Sequence, residues 1–324
     1  MFKICSLLLL GCMLLSSCGE KQIHELADTQ LVENAVFSTS LIVLGTIQDG
    51  GSPHIGCAKA CCRDLFKNPD KDRQVVSLGL FDAATQKKYL FEATPDISTQ
   101  TKELRDFAIQ SEHEMPDGIF LTHAHIGHYA GLMFLGKEAM GAQQVPVFAM
   151  PGMQSFLKEN GPWSQLHSAG NIAIHPLANA QAVQLSDELR VIPFQVPHRD
   201  EYSETVGYKI LGPNKSALFI PDIDKWEKWE RDIAAEIKNV DYGFIDATFF
   251  SGKELNNRDM SEIPHPFILE SMRKFEELSA QERAKVIFIH FNHTNPVIDP
   301  ESAESKLVES KGFRIARIRE VFEL

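Results

Sequence analysis

Leu121-Thr122-His123-Ala124-His125-Ile126-Gly127-His128 decides how the rest of the chain is read. Three histidines fall within six residues, straight after the apolar stretch Gly118-Ile119-Phe120-Leu121 and before a glycine-containing helix start. Imidazole is a common ligand for zinc and related divalent ions. In an extended segment alternate side chains share a side, so His123 and His125 point together. The chain then turns, and His128 approaches the same centre from another direction. A single histidine would read as a surface or core residue, whereas three at this spacing at a strand end read as a metal site.

Working outward, a metal centre needs three or four ligands, and further candidates sit at the tips of other apolar runs. His198 follows Phe194-Gln195-Val196-Pro197, Asp222 follows Leu218-Phe219-Ile220-Pro221, and His290 ends Val286-Ile287-Phe288-Ile289. A strand that delivers a ligand at its tip is how a rigid scaffold presents a site. Taken singly, Asp222 reads equally as a turn residue before a helix cap, and His290 as a buried structural histidine.

Between these points the pattern alternates. Strands are expected over 40–45, 88–93, 118–122, 145–150, 172–175, 189–196, 208–211, 217–220, 242–245 and 286–291. Helices are expected over 99–110, 131–140, from Pro151, 226–238 and 266–278. Mixed elements throughout imply helices covering sheet layers in one compact unit, an α/β protein. The length of 324 residues suits a large core.

The chain opens Met1-Phe2-Lys3, a short basic start. An apolar run from Ile4 to Leu15 follows, of signal-peptide length and too short for a comfortable membrane span. It ends in Leu15-Ser16-Ser17-Cys18-Gly19, which resembles the bacterial lipobox; an ordinary secretory signal is the alternative. The expected organisation is a lipoprotein signal over 1–17, a polar tether over 18–38 and one domain over 39–324. On that expectation Cys18 would be the lipidation site, and acyl chains rather than a helix would attach the protein to the membrane. That reading puts it in the cell envelope, on the periplasmic or outer-membrane face. The net charge of −12 repels phosphate backbones, so no nucleic-acid partner is expected and a small-molecule substrate is.

The set His-x-His-x-Gly-His, then His198, Asp222 and His290 in that order, resembles the metallo-β-lactamase superfamily. The resemblance covers the chain from about Ser40 onward and implies an αββα sandwich with its site at one edge of the two sheets. It implies a first metal position held by His123, His125 and His198, a second held by His128 and His290, and Asp222 shared by both. Gly45-Thr46-Ile47-Gln48-Asp49-Gly50-Gly51-Ser52-Pro53, Thr94-Pro95-Asp96, Asp246-Ala247-Thr248-Phe249 and His290-Phe291-Asn292-His293-Thr294-Asn295-Pro296 look like the coenzyme PQQ synthesis protein B branch. Two departures stand out. Gly127 occupies the place where the superfamily motif has an aspartate, a ligand of the second metal. The expectation is therefore one tightly bound ion, a weak second position, and a gain at that position from Gly127→Asp. The chain also keeps His198, the last imidazole of the first position.

Other residues carry weaker signals. Cys57, Cys61 and Cys62, with His54 nearby, suit either a structural zinc or a disulfide. Trp163 in Asn160-Gly161-Pro162-Trp163 is a candidate for the pocket mouth or for plain packing. Arg199 is a candidate anion partner or a solvated surface residue, and His265, in Ile263-Pro264-His265-Pro266, is a candidate to reach the active site or an inert loop histidine.

The leading function is a metal-dependent hydrolase acting on an ester, lactone, amide or phosphodiester. It would use one or two zinc ions, with iron or manganese as alternatives; Asp222 would orient the attacking water and His293 or His290 would donate the proton. An iron-dependent oxidative enzyme like that of PQQ assembly is a second reading. A non-catalytic metal-binding lipoprotein is a third.

Overall fold

The apolar runs that end in ligand candidates become the strands of two facing sheets. The structure, a computed structural model, describes residues 37–324 apart from 110, 112 and 256–262. The expected signal, Cys18 and nearly all of the tether lie outside the described residues. Among those described, no helix is long and apolar enough to cross a membrane.

The first sheet holds β1 (Ser40–Gly45), β2 (Ser77–Asp82), β3 (Lys87–Phe91), β4 (Gly118–Phe120), β5 (Val145–Ala149) and β6 (Ile172–Pro176) in that order, with β14 (Val321–Glu323) beside β1. The second runs β13 (Arg314–Ile315), β12 (Val286–Ile289), β11 (Tyr242–Asp246), β10 (Ser216–Ile220), β9 (Val206–Leu211), β8 (Arg190–Gln195), β7 (Val183–Gln184). Strands buried on both faces read as continuous apolar runs. Accordingly Ser40–Gly45, Ser77–Asp82 and Val286–Ile289 are buried at every position.

Three apolar clusters define the layers. Leu41, Val43, Phe91, Phe120, Tyr208, Phe219 and Phe244 fill the space between the sheets. Phe120 stacks on Phe148 at a ring distance of 4.4 Å there. A second cluster lies under the helix Ile97–Phe107 and the helices after β5, and a third under the helices of the C-terminal half. Helix, sheet, sheet, helix is the expected αββα sandwich.

Direction within the sheets places the site. β3, β4 and β5 run parallel, as do β10, β11 and β12. β1 is antiparallel to β2, which is antiparallel to β3, so β1 runs with β3. By the same step through β9, β8 runs with β10. Every strand that precedes a candidate ligand therefore ends at the same edge of its sheet.

Some expected elements differ. The helix expected over 131–140 is a short helix Ile126–Tyr129 continued by a 3-10 turn Ala130–Leu135. Gly131 donates its N–H to Ala93, and a Cβ there would lie 2.0 Å from the Thr94 carbonyl oxygen. The turn is thus pressed against the end of β3 and cannot run on as a regular helix. The helix expected over 226–238 is a 3-10 turn Trp226–Lys228 and a separate helix Ile233–Lys238, which Asp232 starts by accepting from the Ala234 N–H. β2, β7, β13 and β14 were not anticipated. Trp163 packs edge-on against Tyr129 at 5.0 Å inside the outer core, which makes it a packing residue.

Candidate metal centre

The segment after β4 is held open by tertiary bonds rather than by its own turn. Val206 donates its N–H to the Thr122 carbonyl at 3.2 Å, and the Ala124 N–H donates to Ser203 Oγ at 2.9 Å. Tyr208 Oη donates to the Leu121 carbonyl. With its backbone fixed from the β8–β9 side, the segment aims His123 and His125 at the loop that carries His198.

There four side chains converge. One ligand atom each from His123, His125, His198 and Asp222 lies within 4.8 Å of the others. His123 Nε2 and His125 Nδ1 are 2.8 Å apart, and His198 Nε2 is 3.3 Å from His125 Nδ1. Asp222 Oδ2 is 3.5 Å from His123 Nε2, and its Oδ1 is 3.3 Å from His198 Nε2. The far sides of the His123 and His125 rings are also tied, while His198 Nδ1 is buried without a hydrogen-bond partner. His123 Nδ1 meets Thr122 Oγ1 at 2.8 Å, and His125 Nε2 meets Glu201 Oε2 at 3.0 Å. Metal-binding imidazoles are oriented by such bonds to their second nitrogen.

His128 and His290 stand on the other side of Asp222, with Nε2 atoms 3.6 Å and 3.9 Å from Asp222 Oδ2. Both are fully buried. Glu92, at the tip of β3, has Oε1 3.4 Å from His128 Nδ1 and accepts from Thr122 Oγ1 at 2.5 Å. Thr248 Oγ1 holds His290 Nδ1 at 2.8 Å. Glu92 and His290 both have left-handed backbone, φ 76° and 71°. Such conformations cost of order 1–3 kcal/mol and persist where the surroundings impose them.

Two further residues, Asp246 and His265, belong to the centre. His265 Nδ1 lies 2.9 Å from Asp246 Oδ2 and 3.2 Å from Asp222 Oδ1. Asp246, at the end of β11, also accepts from the Thr248 hydroxyl at 2.7 Å and from the N–H groups of Thr248 and Ile223. His265 is therefore not an idle loop histidine. The pairing of Asp246 with His265 was not anticipated because no spacing in the sequence links the two residues. Asp246 ending the apolar run Tyr242–Ile245 was the available signal.

His293 is placed elsewhere than expected. Its ring stacks on His54 at 4.6 Å, and a ring nitrogen lies within 4.8 Å of the sulfurs of Cys57 and Cys62. It is not among the groups gathered round Asp222, so the proton-donor role expected of it has no geometric support. The three thiols are free; Cys57 Sγ is 3.8 Å from Cys61 Sγ, and Cys61 Sγ is 4.0 Å from Cys62 Sγ. A disulfide needs about 2.05 Å, so of the two earlier alternatives the geometry suits a metal cluster of thiols and His293. Arg199 is exposed and lies 3.7 Å from Glu201.

Electrostatics follow from burial around one carboxylate. Burial and the neighbouring His128 hold His123 well below the ordinary imidazole pKa, and burial lowers His125 too. Burial also disfavours charge on His128, but Glu92 and Asp222 outweigh it and raise His128 well above the ordinary value. At His265 burial is again overcome, by Asp246 and Asp222, which push it up to about 10. Burial would favour a neutral Asp222, yet His198, His265 and His290 hold it well below the usual carboxylate range. Asp222 Oδ1, His128 Nε2 and His290 Nε2 are buried with no hydrogen-bond partner. Unpaired buried polar atoms are rare and need an explanation. Nitrogen lone pairs converging on a buried carboxylate suit a divalent cation of the zinc class.

Comparison with known proteins agrees with this architecture. The family described as Beta-lactamase superfamily domain matches residues 87–291. Coenzyme PQQ synthesis protein B of Methylorubrum extorquens (strain PA1) is 22% identical over 308 residues, covering 85% of this chain and 97% of that protein. The corresponding protein of Nitrosococcus oceani is 25% identical, covering 85% and 96%. Among solved structures, Zn(2+)-bound PqqB from Methylobacterium extorquens superposes with a TM-score of 0.68 at 21% identity, covering 88% of this chain and all of that one. A diphosphatase from the PhnP family superposes with a TM-score of 0.61 at 23% identity, covering 88% and 97%. With two facing sheets, ligands gathered where their parallel strands end, and a family match over well over half its length, this chain belongs to the metallo-β-lactamase superfamily.

Proposed function

We propose that the protein is a metal-dependent hydrolase of small molecules, acting on an ester, lactone, amide or phosphodiester. The observation that carries this reading is the convergence of His123, His125, His198 and Asp222 within 4.8 Å, with three imidazoles on one side of a buried carboxylate. Zinc is the proposed ion, in line with the zinc-bound relative, with iron or manganese as alternatives. When bound, such a cation supplies Lewis acidity, lowering the pKa of water towards neutrality and polarising the bond under attack.

The chain's own residues do the rest. Thr122 and Glu201 fix the rings of His123 and His125, so the donors need no rearrangement. Asp222 orients the attacking water through the oxygen left without a hydrogen bond. Asp246 accepts a hydrogen bond from the Nδ1–H of His265 and so fixes that ring, leaving Nε2–H to give a proton to the leaving group. This places on His265 the acid role expected of His293 or His290. The Asp246–His265 pair is an ordinary device for orienting an imidazole that carries a proton.

The near full-length match to PQQ synthesis protein B relatives favours a second reading, oxidative chemistry with iron at the same residues. Hydrolysis is preferred because the three-imidazole position is complete and suits zinc. We also propose that Cys18 is lipidated and holds the protein at the cell envelope. Cys18→Ala would then leave unprocessed precursor or released protein, and unchanged membrane fractionation would remove that part.

The deciding test screens zinc- and iron-loaded protein against nitrophenyl esters, lactones, an amide and bis(nitrophenyl) phosphate, with oxygen uptake followed alongside. Chelator-sensitive hydrolysis that disappears in His198→Ala supports the proposal. Oxygen uptake without hydrolysis overturns it in favour of the second reading.

A further inference from the structure

We infer that Asp49 supplies the carboxylate of a second cation position, with His128, His290 and the shared Asp222, and that position 127 is glycine because Asp49 occupies its place. The inference rests on reading the histidine cluster as a metal centre, and it concerns a residue outside the histidine motif altogether.

The geometry is specific. A Cβ built on Gly127 would lie 2.0 Å from Asp49 Cβ and 2.5 Å from Asp49 Cα. Thus the Asp49 side chain starts almost where a residue at 127 would start its own. A carboxylate that the motif would supply from within is supplied from the glycine-rich loop after β1. Its oxygen lies within 4.8 Å of ring nitrogens of His128 and His290. Each of those rings presents an Nε2 without a hydrogen-bond partner, although both residues are fully buried. Both Nε2 atoms face Asp222 Oδ2. Two orphaned imidazole nitrogens and the Asp49 carboxylate, with Asp222 Oδ2 3.6 Å and 3.9 Å from those nitrogens, offer four donors; Thr248 bonds His290 from behind, and Glu92 lies 3.4 Å from His128 Nδ1.

Backbone pairing keeps Asp49 there. Gln48 donates its N–H to the Phe291 carbonyl at 2.8 Å, and Phe291 donates to Thr46 at 2.7 Å. The loop is thereby clamped to the residue next to His290. Gly51 then turns the chain away with φ 75°. The same clamp sets the positions of both the loop carboxylate and the C-terminal imidazole. The expectation drawn from Gly127 alone, a second position with no carboxylate of its own, therefore does not follow. The expected gain from Gly127→Asp does not follow either, because the added atoms would collide with Asp49.

The test uses Mn²⁺ as the probe, since oxygen and nitrogen donors suit it and thiolates do not. Purified full-length protein is titrated, and free Mn²⁺ is counted by electron paramagnetic resonance. Wild-type protein is expected to take up two ions that give a spin-coupled signal. Asp49→Asn should keep the fold by circular dichroism, keep the first ion and bind the second at least about a hundredfold more weakly, since loss of an outer-shell partner alone costs 10–100-fold. The exchange Asp49→Gly with Gly127→Asp should bring the second ion back, because the carboxylate returns from the other backbone. Wild-type saturation at one ion, or Asp49→Asn that keeps both ions at unchanged affinity, overturns the inference while leaving the hydrolase proposal standing. Wild-type protein that binds no ion at the histidines overturns both.

Discussion

The two sides of Asp222 are built in different ways. On one side His123, His125 and His198 come from two neighbouring loops that are bonded to each other, and His125 keeps part of its ring in solvent. On the other, His128, His290 and Asp49 come from three separate parts of the chain, and both rings are sealed from solvent. The first side is a local construction that the chain writes as a motif. The second exists only after both sheets have closed, so its composition is a property of packing. A residue missing from a motif therefore carries no meaning for the site until the neighbours of that position are known.

The largest effect that would test this contrast is loss of one imidazole from the open side. His198→Ala should abolish turnover and release the first ion, measured as metal content and activity on the same preparation. Full metal and full activity in that variant would dissolve the distinction between the two sides. Next comes overpacking on the closed side. Gly127→Asp with Asp49 retained should destabilise the fold by about 1–3 kcal/mol, the usual cost of forcing atoms into a packed interior, seen as a lower denaturation midpoint, without tightening the second ion. A variant as stable as the parent would mean that Asp49 does not press on Gly127.

A smaller effect separates proton handling from ion binding. Asp246→Asn should lower turnover about 10–100-fold, as removal of an orienting partner does, while the first ion stays bound. It should also alter the pH profile, because the His265 proton loses its anionic partner; an equal loss of metal would make Asp246 a ligand instead. The smallest effect concerns one bond that stitches the open side together. Ser203→Ala removes the acceptor of the Ala124 N–H and should cost about 1 kcal/mol of stability. It should weaken the first ion and leave the second alone, by calorimetric titration. If both ions weaken equally, the two sides are one unit.

Much of the layout could be read beforehand for a physical reason. Strands buried on both faces must be apolar throughout, so runs such as Val286–Ile289 announce themselves and their tips mark the edge of the sandwich. His123, His125, Asp222 and His290 follow such runs, and His198 follows the partly exposed β8. The strand Ser77–Asp82 is as buried as any, yet its glycine and flanking polar residues hid it. The helix expected over 131–140 failed because helical spacing is shared by a 3-10 turn, and the pressure of Gly131 on Thr94 is invisible in one dimension. His265, Asp246 and Glu92 could not be ranked, since each acts through a partner far away in sequence. His293 was drawn to the wrong cluster by its closeness to His290: two residues lie between them, and they face different groups. Asp49 did stand in a segment recognisable as distinctive, but nothing in that segment points to Gly127.

The contact between Asp49 and Gly127 also bears on descent. An ancestor with the aspartate in the motif and glycine in the loop would need two replacements to reach the present arrangement. Acquiring the loop aspartate first sets two side chains in one volume, and losing the motif aspartate first leaves two orphaned imidazoles. If Asp49 does serve the second position, each single step costs either stability or a ligand, so lineages should tend to hold one arrangement or the other. Across relatives aligned in depth, an acidic residue at the position of Asp49 and a glycine at the position of Gly127 should rise and fall together, and that pairing would serve as a genealogical marker within the superfamily.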